Sequence, residues 1–143
     1  MNEGLTPLAA GGRILLALLF VLTGMAKLNG IDATAASMAN HGIPYAQDLV
    51  WGAVVLELGG GLMLMAGLLA RAVALVFFFY LLTLAVIFHP YWLLSGAAAH
   101  AQHTAFFEHL CMMGGMLYVV AFGAGPLSVD GAIRSRTRLA PAQ

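Results

Sequence analysis

The chain has 143 residues, 62% of them hydrophobic and only 8% charged, with six basic and six acidic side chains and a formal net charge of zero. An ordinary soluble domain carries about a quarter charged residues, so this composition places the chain among proteins dissolved in lipid rather than water. Neutrality leaves no electrostatic footprint for nucleic acid, and a single cysteine, Cys111, excludes an internal disulfide.

A helix crosses the hydrocarbon of a bilayer with about 20 apolar residues. Four such stretches follow one another, at about 8–28, 49–70, 72–94 and 106–126. Arg13 interrupts the first and Glu57 the second. The third runs without charge through His89 and Pro90, and residues 110–129 carry no charge at all. Strands would alternate with period two, which none of these does, and backbone in lipid must satisfy its own hydrogen bonds. The expected fold class is therefore all-α: one domain over 1–143, a bundle of four transmembrane helices with a short tail at about 131–143. The first stretch ends in Gly24-Met25-Ala26, a passable cleavage pattern, but Glu3 and Pro7 make a poor leader start, so a retained helix is expected.

Between the first two spans, Asp32 is expected to cap a short helix from Ala33 to about Asn40. Gly42 suits the left-handed position past its end, and Pro44 stops continuation. This helix is too short and polar to span, and its place is the outer rim.

Orientation follows from Lys and Arg near the span ends. Four spans put both termini on one side. That side, with the loop after the second span, holds Arg13, Arg71, Arg134, Arg136 and Arg138, while the other holds Lys27 alone. Both termini are expected in the cytoplasm. The connections 27–48 and 89–109 then face outward, and Tyr45, Trp51, Tyr91 and Trp92 fall near the outer span ends as an aromatic belt. All five histidines, His41, His89, His100, His103 and His109, sit toward that outer side.

Small residues crowd the second span: Gly52, Gly59, Gly60, Gly61 and Gly67. Gly24 lies in the first span and Gly114 and Gly115 in the fourth. Close backbone approach drives helix association in lipid, so tight packing is expected. The alternative is a cavity shaped by missing side chains, suited to a flat ligand such as a quinone.

Glu57 is the most informative ionisable residue. It lies about eight residues, or roughly 12 Å, into its span. A carboxylate there costs about 3 kcal/mol on insertion scales unless paired or protonated. Lys27 ends the first span on the same side and is its expected partner. A polar pocket in the outer half is read from Lys27, Glu57, His89, His103 and Glu108. A histidine there could hydrogen-bond a quinone oxygen. A soft-metal site is read from His100, His103, His109 and Cys111, since imidazole and thiolate suit monovalent copper. Neither CxxC nor HxxxH spacing is present. Nor is there a nucleotide loop, a haem attachment sequence or a nucleophile beside a base.

These residues, in this order, resemble the DoxX family of small membrane proteins over about 11–131. The likeness rests on Arg13, Gly24-Met25-Ala26-Lys27, Gly42-Ile43-Pro44, Glu57 with Gly59-Gly60-Gly61, Gly67 with Arg71, Gly114-Gly115 and a closing Gly125-Pro126-Leu127-Ser128-Val129-Asp130. The resemblance implies a four-helix bundle of the bacterial inner membrane. It also implies association with quinone-linked or thiol and oxidative-stress redox systems, since the family is named after a subunit of a thiosulfate:quinone oxidoreductase. Arg13, Gly24, Gly42, Pro44, Gly60, Gly61, Arg71, Ser128 and Asp130 are read as structural. Ser128 and Asp130 are expected to hydrogen-bond backbone where the fourth helix leaves the membrane, with pairing of Asp130 to Arg13 or Arg71 as the alternative. The favoured function is an accessory membrane subunit of such a redox system, without independent catalysis, working with a soluble or membrane redox partner. The alternatives are a non-catalytic scaffold for a partner complex and a metal- or small-solute-handling membrane protein. Self-association is left open.

Overall fold

The computed structural model describes residues 6–139; Glu3 lies outside it, as does the side chain of Arg138. The described residues are helical, without strands. α1 runs Thr6–Asn29, α2 Ile31–Asn40, α3 Ala46–Val55, α4 Gly61–Ala66, α5 Ala70–Phe88, α6 Gly96–Phe122 and α7 Val129–Leu139. A π-helical turn, Leu56–Gly60, joins α3 to α4, and a 3-10 turn, Tyr91–Leu93, follows α5. Four helices are long and apolar enough to cross a membrane: Thr6–Asn29, Ala46–Ala66, Ala70–Leu93 and Gly96–Phe122.

An even number of crossings puts both ends of the bundle's chain at one end, here called terminal; α2 and the 3-10 turn lie at the other, distal end. α1 packs on α3, the π-turn and α4, while α5 packs mainly on α6. The core is small-on-large: Ala17, Ala70 and Ala74 interleave with Phe20, Leu64, Phe77, Leu81 and Met116. Leu15, Leu22, Phe79 and Phe122 are exposed. In water such a surface would be an aggregation liability; as the lipid-facing side of a spanning bundle it is the expected one.

The breaks between helices have local causes. α2 ends in a Schellman motif, in which Ile43 N donates to Met38 O and Gly42 N to Ala39 O. Gly42 takes φ +77°, which a Cβ would oppose. α2 begins at Ile31, two residues earlier than a cap at Asp32 would set it. Gly30 precedes the first helical residue, no side chain caps the helix, and Asp32 accepts instead from Gln47 Nε2 at 3.1 Å. Its charge still favours the first turn. α5 stops before Pro90, whose ring cannot continue the ladder. α6 begins at Gly96 rather than near 106, so His100, His103 and His109 lie on one long helix.

Candidate functional site

The terminal end is closed by Arg13. Its guanidinium is 5% exposed and donates to three carbonyls, of Ala124, Met65 (3.2 Å) and Leu127 (3.0 Å). One side chain thus ties α1 to the end of α4 and to the α6–α7 connection. Asp130 pairs with neither Arg13 nor Arg71. Its carboxylate accepts from Leu69 N and Ala70 N, both at 2.9 Å, and so caps α5. Ser128 Oγ accepts from Gly131 N at 3.0 Å, and Arg71 donates to Ala121 O at 3.2 Å. Gly67 sits at the centre of this knot at φ +71°, where a Cβ would lie 2.5 Å from Ser128 Cβ.

Glu57 sits on the π-turn and is 2% exposed. Because α3 starts at Ala46, Glu57 lies about 16 Å along its span, deeper than the sequence boundary implied. Lys27 Nζ donates to both carboxylate oxygens, at 2.9 and 2.8 Å. Tyr80 Oη donates to the first of them at 2.6 Å. Three helices thereby meet on one carboxylate. Tyr80 is the member that the ionisable residues alone do not reveal. Its signal is a phenol in the middle of a span, where a buried hydroxyl needs a partner.

The glycines explain how the widened turn fits. A Cβ on Gly24 would lie 2.9 Å from Leu58 Cγ and 3.1 Å from Glu57 Cβ, so this glycine lets α1 approach the turn. Gly61 does the same against Val21 and Phe20, and Gly60 against Phe77. Phe20 and Phe77 stack at 3.9 Å, one helical turn from Tyr80 toward the terminal end. π-turns inside α-helices are rare and concentrate at functional sites. Here the turn seats a carboxylate between α1 and α5.

Above the triad opens a cleft of about 840 Å³. Lys27, Tyr80, His89 and His109 line it, and Glu57 lies behind Lys27 and Tyr80. Its walls are apolar residues of α3, the π-turn and α5, such as Leu49, Leu56 and Ile87, with Thr34 and Ser37 of α2 at the distal rim. Gly52 and Gly59 do not serve packing: nothing lies within 4 Å of where their Cβ atoms would be, and Gly52 lines the cleft.

The histidines divide. His89 and His109 face each other, ring centroids 4.8 Å apart, with His89 Nδ1 at 2.6 Å from Gln102 Oε1 and His109 Nδ1 at 2.9 Å from Ala105 O. His103 is exposed on α6 against Tyr91 and Phe107, and Glu108 is exposed as well, so neither joins the cleft. His41 packs against Phe88, ring centroids 4.5 Å apart and tilted by 42°. His100 and Cys111 are exposed. Among the described residues no three His, Cys, Asp or Glu side chains gather as metal ligands would, so His100, His103, His109 and Cys111 stay apart.

A family model described as DoxX matches residues 8–90. The chain is 33% identical to inner membrane protein YphA of Escherichia coli K12, over 82% of this chain and 84% of that one. It is 32% identical to inner membrane protein YqjF of the same organism, over 87% and 90%. No solved structure matches it.

Proposed function

The chain belongs to the DoxX family, and from that premise we propose that it is an accessory inner-membrane subunit of a quinone-linked redox system. In this reading the distal cleft holds a quinone head and a redox partner supplies or removes the electrons. The observation that carries the reading is the pairing of an 840 Å³ cleft with a Lys27–Glu57–Tyr80 triad at its floor, in which the buried Glu57 is held by two half-buried donors. A flat apolar slot with a few convergent polar groups is the usual form of a small-molecule site. An ionisable group held at this depth in lipid is functional by default.

The slot also faces the right solvent. α3 packs on α1 and α2, and α5 on α6, so the two walls stand on separate helix pairs, and in this reading the gap between them is the entry from the bilayer. A hydrophobic tail can stay in the bilayer while its head reaches Lys27. In this reading both termini lie in the cytoplasm, supported by Arg71, Arg134 and Arg136 at the terminal end against Lys27 at the distal one. The cleft then opens in the outer leaflet.

Gentle detergent purification followed by mass spectrometry of the extracted lipids tests this. We expect an isoprenoid quinone in near-equimolar amount, and its loss in Ala53→Phe, which fills the α3 wall of the cleft. A preparation that carries no quinone, and binds none when it is added, overturns the reading.

A further inference from the structure

We propose that the cleft selects a head that donates hydrogen bonds, and so takes a hydroquinone in preference to the quinone. This rests on the quinone reading above and adds to it which redox form is held.

The argument is an inventory of protons. A threonine hydroxyl has one proton to give. Thr23 gives its own to Phe20 O (3.2 Å), Thr34 to Gly30 O (3.0 Å) and Thr83 to Phe79 O (2.9 Å). All three line the cleft, and each can show it only oxygen lone pairs. Tyr80 gives its proton to Glu57 and likewise presents only oxygen. Ala105 O has no proton, so His109 Nδ1 must be the donor in that bond, and in the neutral ring Nε2 is then a bare acceptor. His89 Nδ1 is taken up by the Gln102 amide, so whatever its tautomer that nitrogen is not offered to the cleft.

The donors left are few. Lys27 has three N–H groups, and its contacts with the two Glu57 oxygens leave one to spare. Ser37, at the rim, can turn its hydroxyl either way. Lys27 and Glu57 also cancel in charge, so the floor does not call for an anion. A quinone carries only carbonyl acceptors. Against this lining it would meet one Lys27 N–H and otherwise oppose acceptor to acceptor. The hydroquinone, of nearly the same shape, turns its two hydroxyls into donors that those acceptors can take. A site built to bond a hydroxyl rejects an analogue lacking it, because its own polar groups are left unpaired.

The test uses the full chain in lipid nanodiscs, titrated calorimetrically without oxygen. The probes are a decyl-benzoquinone, its hydroquinone, the dimethyl ether of that hydroquinone, and monodecanoylglycerol. We expect the hydroquinone to bind at least about tenfold more tightly than the quinone, the value of roughly one well-made bond, and the ether to bind no better than the quinone. Thr83→Val, an exposed and nearly isosteric change, should lower hydroquinone affinity and leave quinone affinity alone. Equal or tighter binding of the quinone overturns the selection while leaving the quinone reading intact. Binding of the glycerol lipid with neither quinone form supports a donor-selective cleft and overturns the quinone reading. Binding of none overturns both.

Discussion

At the terminal end, Arg13 gives the N–H groups of its two terminal nitrogens to three carbonyls; at the distal end, Lys27 and Glu57 hold each other against Tyr80, with an 840 Å³ cleft alongside. Both regions bury charge in a lipid-facing bundle. In the first, the charge is absorbed by backbone: its partners are carbonyls at the end of α4 and in the α6–α7 connection, which would otherwise lack donors. In the second, charge meets charge on side chains, one of them lines a cavity, and donors and acceptors are left over. A charge held by backbone carbonyls of two segments is a clasp. A paired charge with spare hydrogen-bonding capacity at a cavity wall is a place for a ligand.

The comparison can be broken at either end. The largest expected effect is at the terminal clasp. Arg13→Ala should lower resistance to unfolding in mixed micelles by about 3 kcal/mol or more, since bonds from a charged donor are worth about 1.5–3 kcal/mol each. Arg13→Lys, a point donor in place of a fork, should recover only part of this. Quinone or hydroquinone binding by the protein that remains folded should be unchanged. If Arg13→Ala abolished binding while leaving stability intact, the assignment of the two ends would be reversed.

Next comes the distal pair. Lys27→Met leaves a nearly inaccessible carboxylate without its cation and should cost about 2–3 kcal/mol, below the range for fully buried pairs because Lys27 is partly exposed. The double variant Lys27→Met with Glu57→Leu should be more stable than Lys27→Met alone, yet bind no ligand. Equal stability of the two would mean that Glu57 is not charged against Lys27. A stable double variant that still binds would show the triad to be packing.

The smallest effects separate the glycines. Gly52→Ala meets open space and should stabilise the helix by roughly 0.5–1 kcal/mol. Gly24→Ala meets Leu58 and Glu57 at about 3 Å and should destabilise by roughly 1–3 kcal/mol. Both are read from the same denaturation curves. Similar signs for the two would dissolve the distinction between a packing glycine and a cleft glycine.

The four spans, the rim helix and the Lys27–Glu57 pair were legible in the residues. Long uncharged runs leave a chain in lipid no choice but helix, Gly42 and Pro44 mark a helix stop, and a lone mid-span carboxylate near a lone lysine at a span end has one cation within reach. The residues alone place His103 and Glu108 in the pocket with His89 and leave His109 out of it, because all lie in one polar stretch whose helical phase is not set locally. The difference is rotational: α6 starts at Gly96, and its phase turns His109 toward the cleft and leaves His103 and Glu108 exposed. Tyr80 was passed over because a phenol carries no formal charge, and aromatics near it look like lipid-facing bulk.

The sequence by itself determined the apolar surroundings, the number of helices able to cross them and that Glu57 needed a partner, because each depends on the free energy of putting a given residue in hydrocarbon. Only the tertiary structure decided that Glu57 rides a π-turn, that Gly24 makes room for it while Gly52 leaves a void, that Asp130 caps α5 instead of pairing with an arginine, and which hydroxyls have already given their protons away. Those outcomes depend on helix phase and on distances of a few ångströms between segments far apart in the chain, and local propensity carries no term for either.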